Sequence, residues 1–439
     1  MEASNAAAQT PAAVRAHSDK EGVRNYALVT LAYWADTLAD GAIRTLVLFY
    51  FYRLGYSALQ VASLFLFYEI FGIVTNLCGG YLGSRFGLKT TLFMGLGTQL
   101  VALSMLGLMP PSALTVAYVM VSQALSGIAK DLTKMSSKSA VKLVAGDGEG
   151  RLYKWVALLT GSKNALKGVG FFLGSVLLST IGFQASVWTL AGLVATGLIT
   201  AATLMRGGLG QANKKVKFSQ MFSRNRAVNL LAIARLFLFG ARDVWFVVAV
   251  PVFLSSVLGW KFWQAGAFMA AWVIGYGAVQ ASAPALIRRK TPDGRTRDPD
   301  GKTATVLAFA LALLPAAIAA ALHFSVTPTI AVVAGLIAFG LVFALNSAVH
   351  SYLILAYTDS KTVAINVGIY YMANACGRLT GTVLSGLLYQ LGLKHGTNGG
   401  VMWCLVASAV FVLAAGLLSM GLPETPTGRV GESPADGGD

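Results

Sequence analysis

The chain has 439 residues, 56% of them hydrophobic and only 12% charged, with a mean hydropathy of +0.65. A soluble domain carries about 25% charged residues, so a water-soluble enzyme or binding module is excluded and a polytopic membrane protein is expected. The net charge of +16 would point a soluble protein towards nucleic acid, but here its placement on loops explains it and no nucleic-acid partner is expected.

Residues Met1–Glu21 are polar and Ala-rich and lack the apolar core of a cleavable signal peptide, and 1–25 read as a cytoplasmic arm. A membrane span needs about 20 apolar residues. Twelve are predicted, over 26–52, 58–80, 90–109, 113–135, 153–178, 184–205, 228–257, 262–287, 303–323, 328–357, 362–390 and 400–421. Pro110-Pro111, Gly182 and Pro328 mark tight turns between them. The polar stretch 206–227 is a central cytoplasmic loop, with a short surface helix expected at 217–222. It separates a first half, 26–205, from a second, 228–422. Residues 423–439 form a disordered cytoplasmic tail. The expected fold is all-α and integral to the membrane, with twelve transmembrane helices in two pseudo-symmetric six-helix halves. Cys78, Cys376 and Cys404 are scattered and read as membrane-buried thiols.

Counting Lys and Arg tests the topology. With the N-terminus cytoplasmic, 23 of the 34 fall in cytoplasmic segments, eight inside spans, and only Arg53, Lys261 and Lys394 in external loops. Cytoplasmic loops of membrane proteins carry such an excess, so both termini are expected in the cytoplasm.

The halves show a faint repeat. Leu54–Arg85 aligns without gaps to Leu258–Arg289. Leu54, Gly55, Gln60, Leu82 and Arg85 find identical partners, and Tyr56 faces Trp260. Parallel halves of this period are used by transporters of the major facilitator type. The stretch Gly80–Thr90, GYLGSRFGLKT, resembles the signature loop between spans 2 and 3 of that superfamily, G-x-L-x-D-R-x-G-[R/K]-[R/K]. Gly80, Leu82, Arg85, Gly87 and Lys89 match. Ser84 stands where Asp is usual and Leu88 at a usual basic position, which weakens the charge latch of that loop. The resemblance implies the major facilitator fold, with Gly80, Ser84, Arg85, Gly87 and Lys89 as its conformational loop.

A narrower likeness lies in AYWADTLADGAIR, FYEIFGIVTNLCGGYLGSRFGLK, SGIAKDLTKMSSKSAVK and WVALLTGSKNALKGVGFFLG. These runs resemble the organoarsenical efflux permeases of bacterial arsenic-resistance operons (ArsJ type), over Asn25 to Pro423. That resemblance implies a monomeric carrier in the bacterial inner membrane, not an enzyme, that exports 1-arseno-3-phosphoglycerate and confers arsenate resistance. It also implies a functional link to a glyceraldehyde-3-phosphate dehydrogenase, which makes the cargo when arsenate replaces phosphate. The residues alone give an organic anion, so an organophosphate or other organic-anion carrier of the same fold stays open. No cofactor is expected: no G-x-x-x-x-G-K-[ST] loop is present, and no metal-ligand cluster or catalytic triad is visible. A membrane-embedded enzyme would need such a set, and a channel repeated pore motifs.

Thirteen ionisable residues fall within the spans: Arg44, Lys130, Lys134, Lys163, Lys167, Arg235, Arg242 and Arg378, with Asp36, Asp40, Glu69, Asp131 and Asp243. Spans 3, 6, 9 and 12 carry none, and in the facilitator arrangement these are the outer supports. Facing lipid, each would cost about 2.5–3.5 kcal/mol, and thirteen on the order of 30–45 kcal/mol, against a domain stability of roughly 5–15 kcal/mol. They must pair or face water, which indicates a cationic, water-filled path for an anion.

Lys130, Lys134 and Lys138 recur four apart, on one helix face. Lys163 and Lys167 repeat the device with no acid within a turn. Lys130, Lys163, Lys167, Arg242, Arg378 and Asn374 form the candidate substrate-binding set. A shift of 211 residues brings Lys167 onto Arg378 and Gly170 onto Gly381. Lys167 and Arg378 are expected to grip opposite ends of a dianion, Arg through its planar fork and Lys as a point charge. The competing reading pairs both with Asp40 or Asp243.

Asp36, Asp40, Glu69 and Asp243 are candidates for inward proton movement driving export. Glu69 stands out because no basic residue lies within a turn on its own span. Asp40 and Arg44 are spaced for an intrahelical ion pair. Arg242 and Asp243 are adjacent, point in different directions and are not expected to pair. Arg44, Lys134 and Lys138 lie near span ends, where snorkelling is expected. Asn346 and His350 are open between lining the cavity and packing.

Overall fold

The computed structural model describes residues 11–145, 151–205, 225–287, 289–290, 296–297, 299–324, 327–357 and 363–423, without the side chains of 11–21, 77–86, 138–145, 151–161 and a few further positions. The central loop's 206–224 and the tail beyond Pro423 lie outside these residues, as does the surface helix expected at 217–222. The helices are α1 (Pro11–Arg53), α2 (Ala58–Ser63), α3 (Leu66–Phe86), α4 (Leu88–Leu108), α5 (Val116–Ala145), α6 (Arg151–Leu204), α7 (Arg226–Phe246), α8 (Ala249–Ser256), α9 (Phe262–Ile287), α10 (Gly301–His323), α11 (Pro328–Ala356), α12 (Val363–Gly392) and α13 (Gly399–Ser419). Two-residue strands, Arg289–Lys290 and Thr296–Arg297, pair antiparallel in the loop after α9.

Every predicted span has a helical counterpart. Among the described residues, eight helical stretches are long and apolar enough to cross a membrane, and Ser162–Leu204 covers two predicted spans. Spans 1, 4 and 11 fall outside that set: span 1 carries Asp36, Asp40 and Arg44, span 4 carries Lys130, Asp131 and Lys134, and span 11 carries Asn374 and Arg378. α6 turns between spans 5 and 6 at Gly182, whose φ of 78° favours glycine. α1 begins at Pro11, well before the expected start at 26, with proline at the first helical position, where its missing N–H costs nothing.

Two of the predicted spans are broken. Span 7 divides into α7 and α8 at Val247–Val248. Pro251 explains it: proline has no N–H for the Val247 carbonyl, and its ring crowds that carbonyl. The N–H groups of Val248 and Ala249 donate instead to Ser385 Oγ of α12, at 3.2 and 3.1 Å. Span 2 divides into α2 and α3 at Leu64–Phe65, where Phe65 N–H donates to Ala62 O at 3.1 Å in a tighter turn.

The repeat is visible in local geometry. Gly55 and Gly259, aligned by it, both take positive φ, 90° and 69°. Their aligned glutamines cap the next helix alike: Ser57 N–H donates to Gln60 Oε1 at 2.9 Å, and Lys261 N–H to Gln264 Oε1 at 2.8 Å. Packing repeats too. α1 lies along α6 and α7 along α12, while α6 meets α9 and α12 meets α2 and α3 across the halves. α4, the second arm of α6, α10 and α13 expose large apolar side chains such as Val101, Ile199, Leu313 and Leu417. Those helices are the predicted charge-free supports.

Candidate functional site

A cavity of about 280 Å³ lies between the halves, lined from α1, α3, α5, the first arm of α6, α7, α8, α9, α11 and α12. All eight cations expected within spans line it: Arg44, Lys130, Lys134, Lys163, Lys167, Arg235, Arg242 and Arg378. So do Asp40, Glu69, Asp131 and Asp243, and so does Asn374. The whole candidate substrate-binding set therefore shares one cavity. Asp36 is not on its wall.

Helix geometry concentrates these groups. Asp40 and Arg44 follow each other by one turn on α1, Lys163 and Lys167 on α6, and Asn374 and Arg378 on α12, so each pair projects from one helix face.

Asp40, Glu69 and Asp243 bind cations from other helices, while Asp131 binds one from its own. Glu69 Oε1 accepts from Arg44 Nη2 at 2.8 Å and from Arg378 Nη2 at 2.7 Å. Arg378 Nε also reaches Asp243 Oδ2 at 3.4 Å. The Glu69–Arg378 pair thus joins α3 of the first half to α12 of the second. Arg242 Nη2 meets Asp243 Oδ1 at 2.5 Å. Lys167 Nζ lies 3.5 Å from Asp40 Oδ2, and Tyr68 Oη donates to Asp40 Oδ1 at 2.6 Å. Lys134 Nζ donates to Asp131 Oδ1 and to Asn76 Oδ1, both at 2.6 Å. Asp36 Oδ2 accepts from Thr133 Oγ1 at 2.6 Å, while its Oδ1 is buried with no partner.

Several expectations are corrected by this geometry. Arg44 does not pair with Asp40 one turn away; it crosses to Glu69, so Glu69 is held by two cations rather than unopposed. Arg242 and Asp243 do pair, because the long Arg side chain folds back over its neighbour. Arg44 and Lys134 sit in the cavity with carboxylate partners instead of snorkelling; Lys138's side chain lies outside those described. Lys167 and Arg378 do face the cavity, but they carry the carboxylate partners that the competing reading assigned them.

A family model described as Major Facilitator Superfamily matches residues 29–346. The chain belongs to that superfamily. Similar solved structures include a single-substitution form of the nucleoside transporter NupG, at 13% identity and a TM-score of 0.65, covering 90% of this chain and 99% of that one. A POT family transporter in complex with a thioalcohol-conjugated peptide matches at 13% identity and a TM-score of 0.67, covering 89% of this chain and 95% of that one. At that identity the likeness is one of fold. A comparison with curated proteins finds no match.

The remaining residues can be placed on this facilitator frame. In the signature loop, Gly87 joins α3 to α4 with φ 80°, a turn that favours its glycine. Lys89 Nζ donates to Met205 O at 3.2 Å. The side chains of Ser84 and Arg85, and the surroundings of Gly80, lie outside those described. Cys376 is half-buried and Cys404 buried, both as free thiols, and Cys78 lies outside the described side chains. Asn346 and His350 are buried away from the cavity wall, with their side-chain polar atoms unpartnered.

The site set named from sequence omitted Tyr68 and Asn76 and, of the intramembrane charges, Arg44, Lys134, Asp131 and Arg235. Arg235 was visible as an intramembrane cation. Tyr68 and Asn76 had no signal, because polar uncharged residues in apolar runs are common at helix contacts. Among the described residues no group of three His, Cys, Asp or Glu side chains could hold a metal ion.

Proposed function

We propose that this facilitator is a secondary carrier that exports a small organic anion with two acidic groups across the bacterial inner membrane, by alternating access and in exchange for protons. One observation carries the reading: the cavity wall holds eight basic and four acidic side chains, an excess that an anionic cargo offsets. The volume of about 280 Å³ is close to the lower end of the roughly 300–1,000 Å³ usual for small-molecule sites, which favours a short polar cargo. Of the anions that fit, 1-arseno-3-phosphoglycerate is the one favoured by the likeness of the lysine-bearing runs to organoarsenical permeases. Both of its ends are acidic, and the lysines of those runs, Lys130, Lys134, Lys163 and Lys167, stand on the cavity wall. An organophosphate is the second cargo compatible with the same wall.

For coupling, Asp36 replaces Glu69 as the favoured proton site. Asp40, Glu69 and Asp243 each hold at least one cation. Asp36 has no cationic partner among the described residues, so gaining or losing a proton there breaks no ion pair. The split of loop Lys and Arg supports cytoplasmic termini.

Uptake by everted membrane vesicles tests the cargo, with 1-arseno-3-phosphoglycerate formed in the assay by a glyceraldehyde-3-phosphate dehydrogenase and arsenate. Accumulation of arsenic that needs both the carrier and the dehydrogenase is expected. Accumulation of 3-phosphoglycerate but not of arsenic would replace the organoarsenical by the organophosphate.

A further inference from the structure

Five of the cavity cations are already neutralised by the chain's own carboxylates: Arg44, Lys134, Lys167, Arg242 and Arg378. A cargo anion reaching any of them must first displace a carboxylate. Lys130 and Arg235 differ. Among the described residues neither has a carboxylate within salt-bridge distance. The Lys130 ammonium rests on the face of Tyr68, 4.0 Å from the ring centroid. Arg235 is buried and, among the described residues, held only by neutral acceptors. Its Nε donates to Asn374 Oδ1 at 3.2 Å, and its Nη1 to Ser347 O at 3.2 Å and Ser347 Oγ at 3.0 Å. The Phe239 and Tyr370 rings lie 3.9 and 5.0 Å from its Cζ. Aromatic faces soften a buried cation, but they do not supply the counter-charge that a buried ion needs. Nη2, with two N–H groups, has no partner among the described residues, and Arg235 lines the cavity.

A second observation concerns the helix behind that wall. Asn346 and His350, one residue before Ser347 and three after it on α11, are fully buried with no partner for their side-chain polar atoms. An amide and an imidazole N–H are donors. Each also carries an unanswered acceptor, so the two side chains mark a polar interior beside Arg235 without supplying the counter-charge its guanidinium lacks.

The geometry points to Lys130 and Arg235 as the two seats for the acidic groups of the cargo, one on each half. Arg235 takes a phosphate-like tetrahedral oxyanion through Nη2. Lys130 takes the second acidic group as a point charge, held in place by the Tyr68 ring. The cation pair Lys167 and Arg378 is then part of the frame and not the grip. The ligand class is a short organic anion with two separated acidic groups. This assignment rests on the anion-carrier reading above.

Binding of 3-phosphoglycerate to the purified full chain, followed by titration calorimetry, tests it. Lys130→Gln and Arg235→Gln are each expected to weaken binding by about tenfold to a hundredfold, the worth of a charge-assisted hydrogen bond, while the protein stays monodisperse. Unchanged affinity in both variants overturns the seats, and unchanged affinity in one overturns that seat. Should Arg235→Gln fail to fold, Arg235→Lys keeps the charge and loses Nη2; it is expected to bind several-fold more weakly, and wild-type affinity overturns the Arg235 seat. A wild-type chain that binds neither 3-phosphoglycerate nor inorganic phosphate overturns the carrier reading itself, and the seats with it.

Discussion

In the first half α6 crosses α1 with Gly170 at the contact, where an added Cβ would lie 2.5 Å from Leu38 O. In the second half α12 crosses α7 with Gly381 at the contact, where an added Cβ would lie 2.7 Å from Gly240 O. Three residues earlier on the same two helices the halves diverge, with Lys167 on one and Arg378 on the other. The divergence extends over the cavity wall. The first half contributes four lysines and Arg44, with Asp40, Glu69 and Asp131; the second contributes Arg235, Arg242 and Arg378, with Asp243. Helix crossings are limited by backbone distance, so both halves keep the glycine. Cavity-facing residues are limited only by the cargo and by one another, so the two walls are free to differ.

The comparison breaks first at Glu69, which draws Arg44 from its own half and Arg378 from the other. Glu69→Gln leaves two buried guanidiniums without their shared carboxylate and is expected to cost roughly 3–5 kcal/mol. Thermal unfolding in detergent reads this as a large loss of folded protein. A variant as stable as the parent would show that Glu69 does not hold the halves together.

The glycine crossings come next. Gly170→Ala and Gly381→Ala should each cost about 1–3 kcal/mol by overpacking, and by similar amounts, since both force the same backbone separation. A large loss at one and none at the other would break the symmetry of the frame. Ser385→Ala removes the acceptor for two N–H groups freed at the break in span 7 and should cost about 1–3 kcal/mol. The other break, in span 2, which is not the repeat partner of span 7, is closed by its own turn and needs no such hydroxyl. A neutral Ser385→Ala in a denaturation series would mean that water satisfies the two amides.

The smallest stability change is expected at Asp36→Asn, below about 1 kcal/mol, because an amide oxygen can still accept from Thr133. Its effect is instead on coupling: transport should lose its dependence on a proton gradient. Retained dependence would return the proton to one of the paired carboxyls.

Much of the site was legible because a charge inside an apolar run is rare and costly. That argument singled out eight cations as a group, and all eight stand on the wall of one cavity. It could not assign partners, because Glu69 and Arg378 are 309 residues apart in sequence and pairing depends on which helices cross. Local spacing misled for the same reason: Asp40 and Arg44 sit one turn apart, yet each finds a stronger partner on another helix. The break at Val247 had a readable signal in Pro251. The break at Leu64 had none, since neither Gly nor Pro lies near it. Arg235 was counted among the intramembrane cations but left out of the site, because a lone arginine without a lysine-like repeat attracts no attention in sequence. That no carboxylate among the described residues pairs with it emerges only in three dimensions.

Exchange across proteoliposomes tests the central claim most directly. Vesicles containing the purified chain are loaded with unlabelled 3-phosphoglycerate and presented with the labelled compound outside. Labelled anion is predicted to enter these vesicles faster than protein-free ones, with a neutral sugar of similar size excluded. Entry no faster than into protein-free vesicles, for 3-phosphoglycerate, phosphate and the arsenylated compound alike, would contradict an organic-anion carrier.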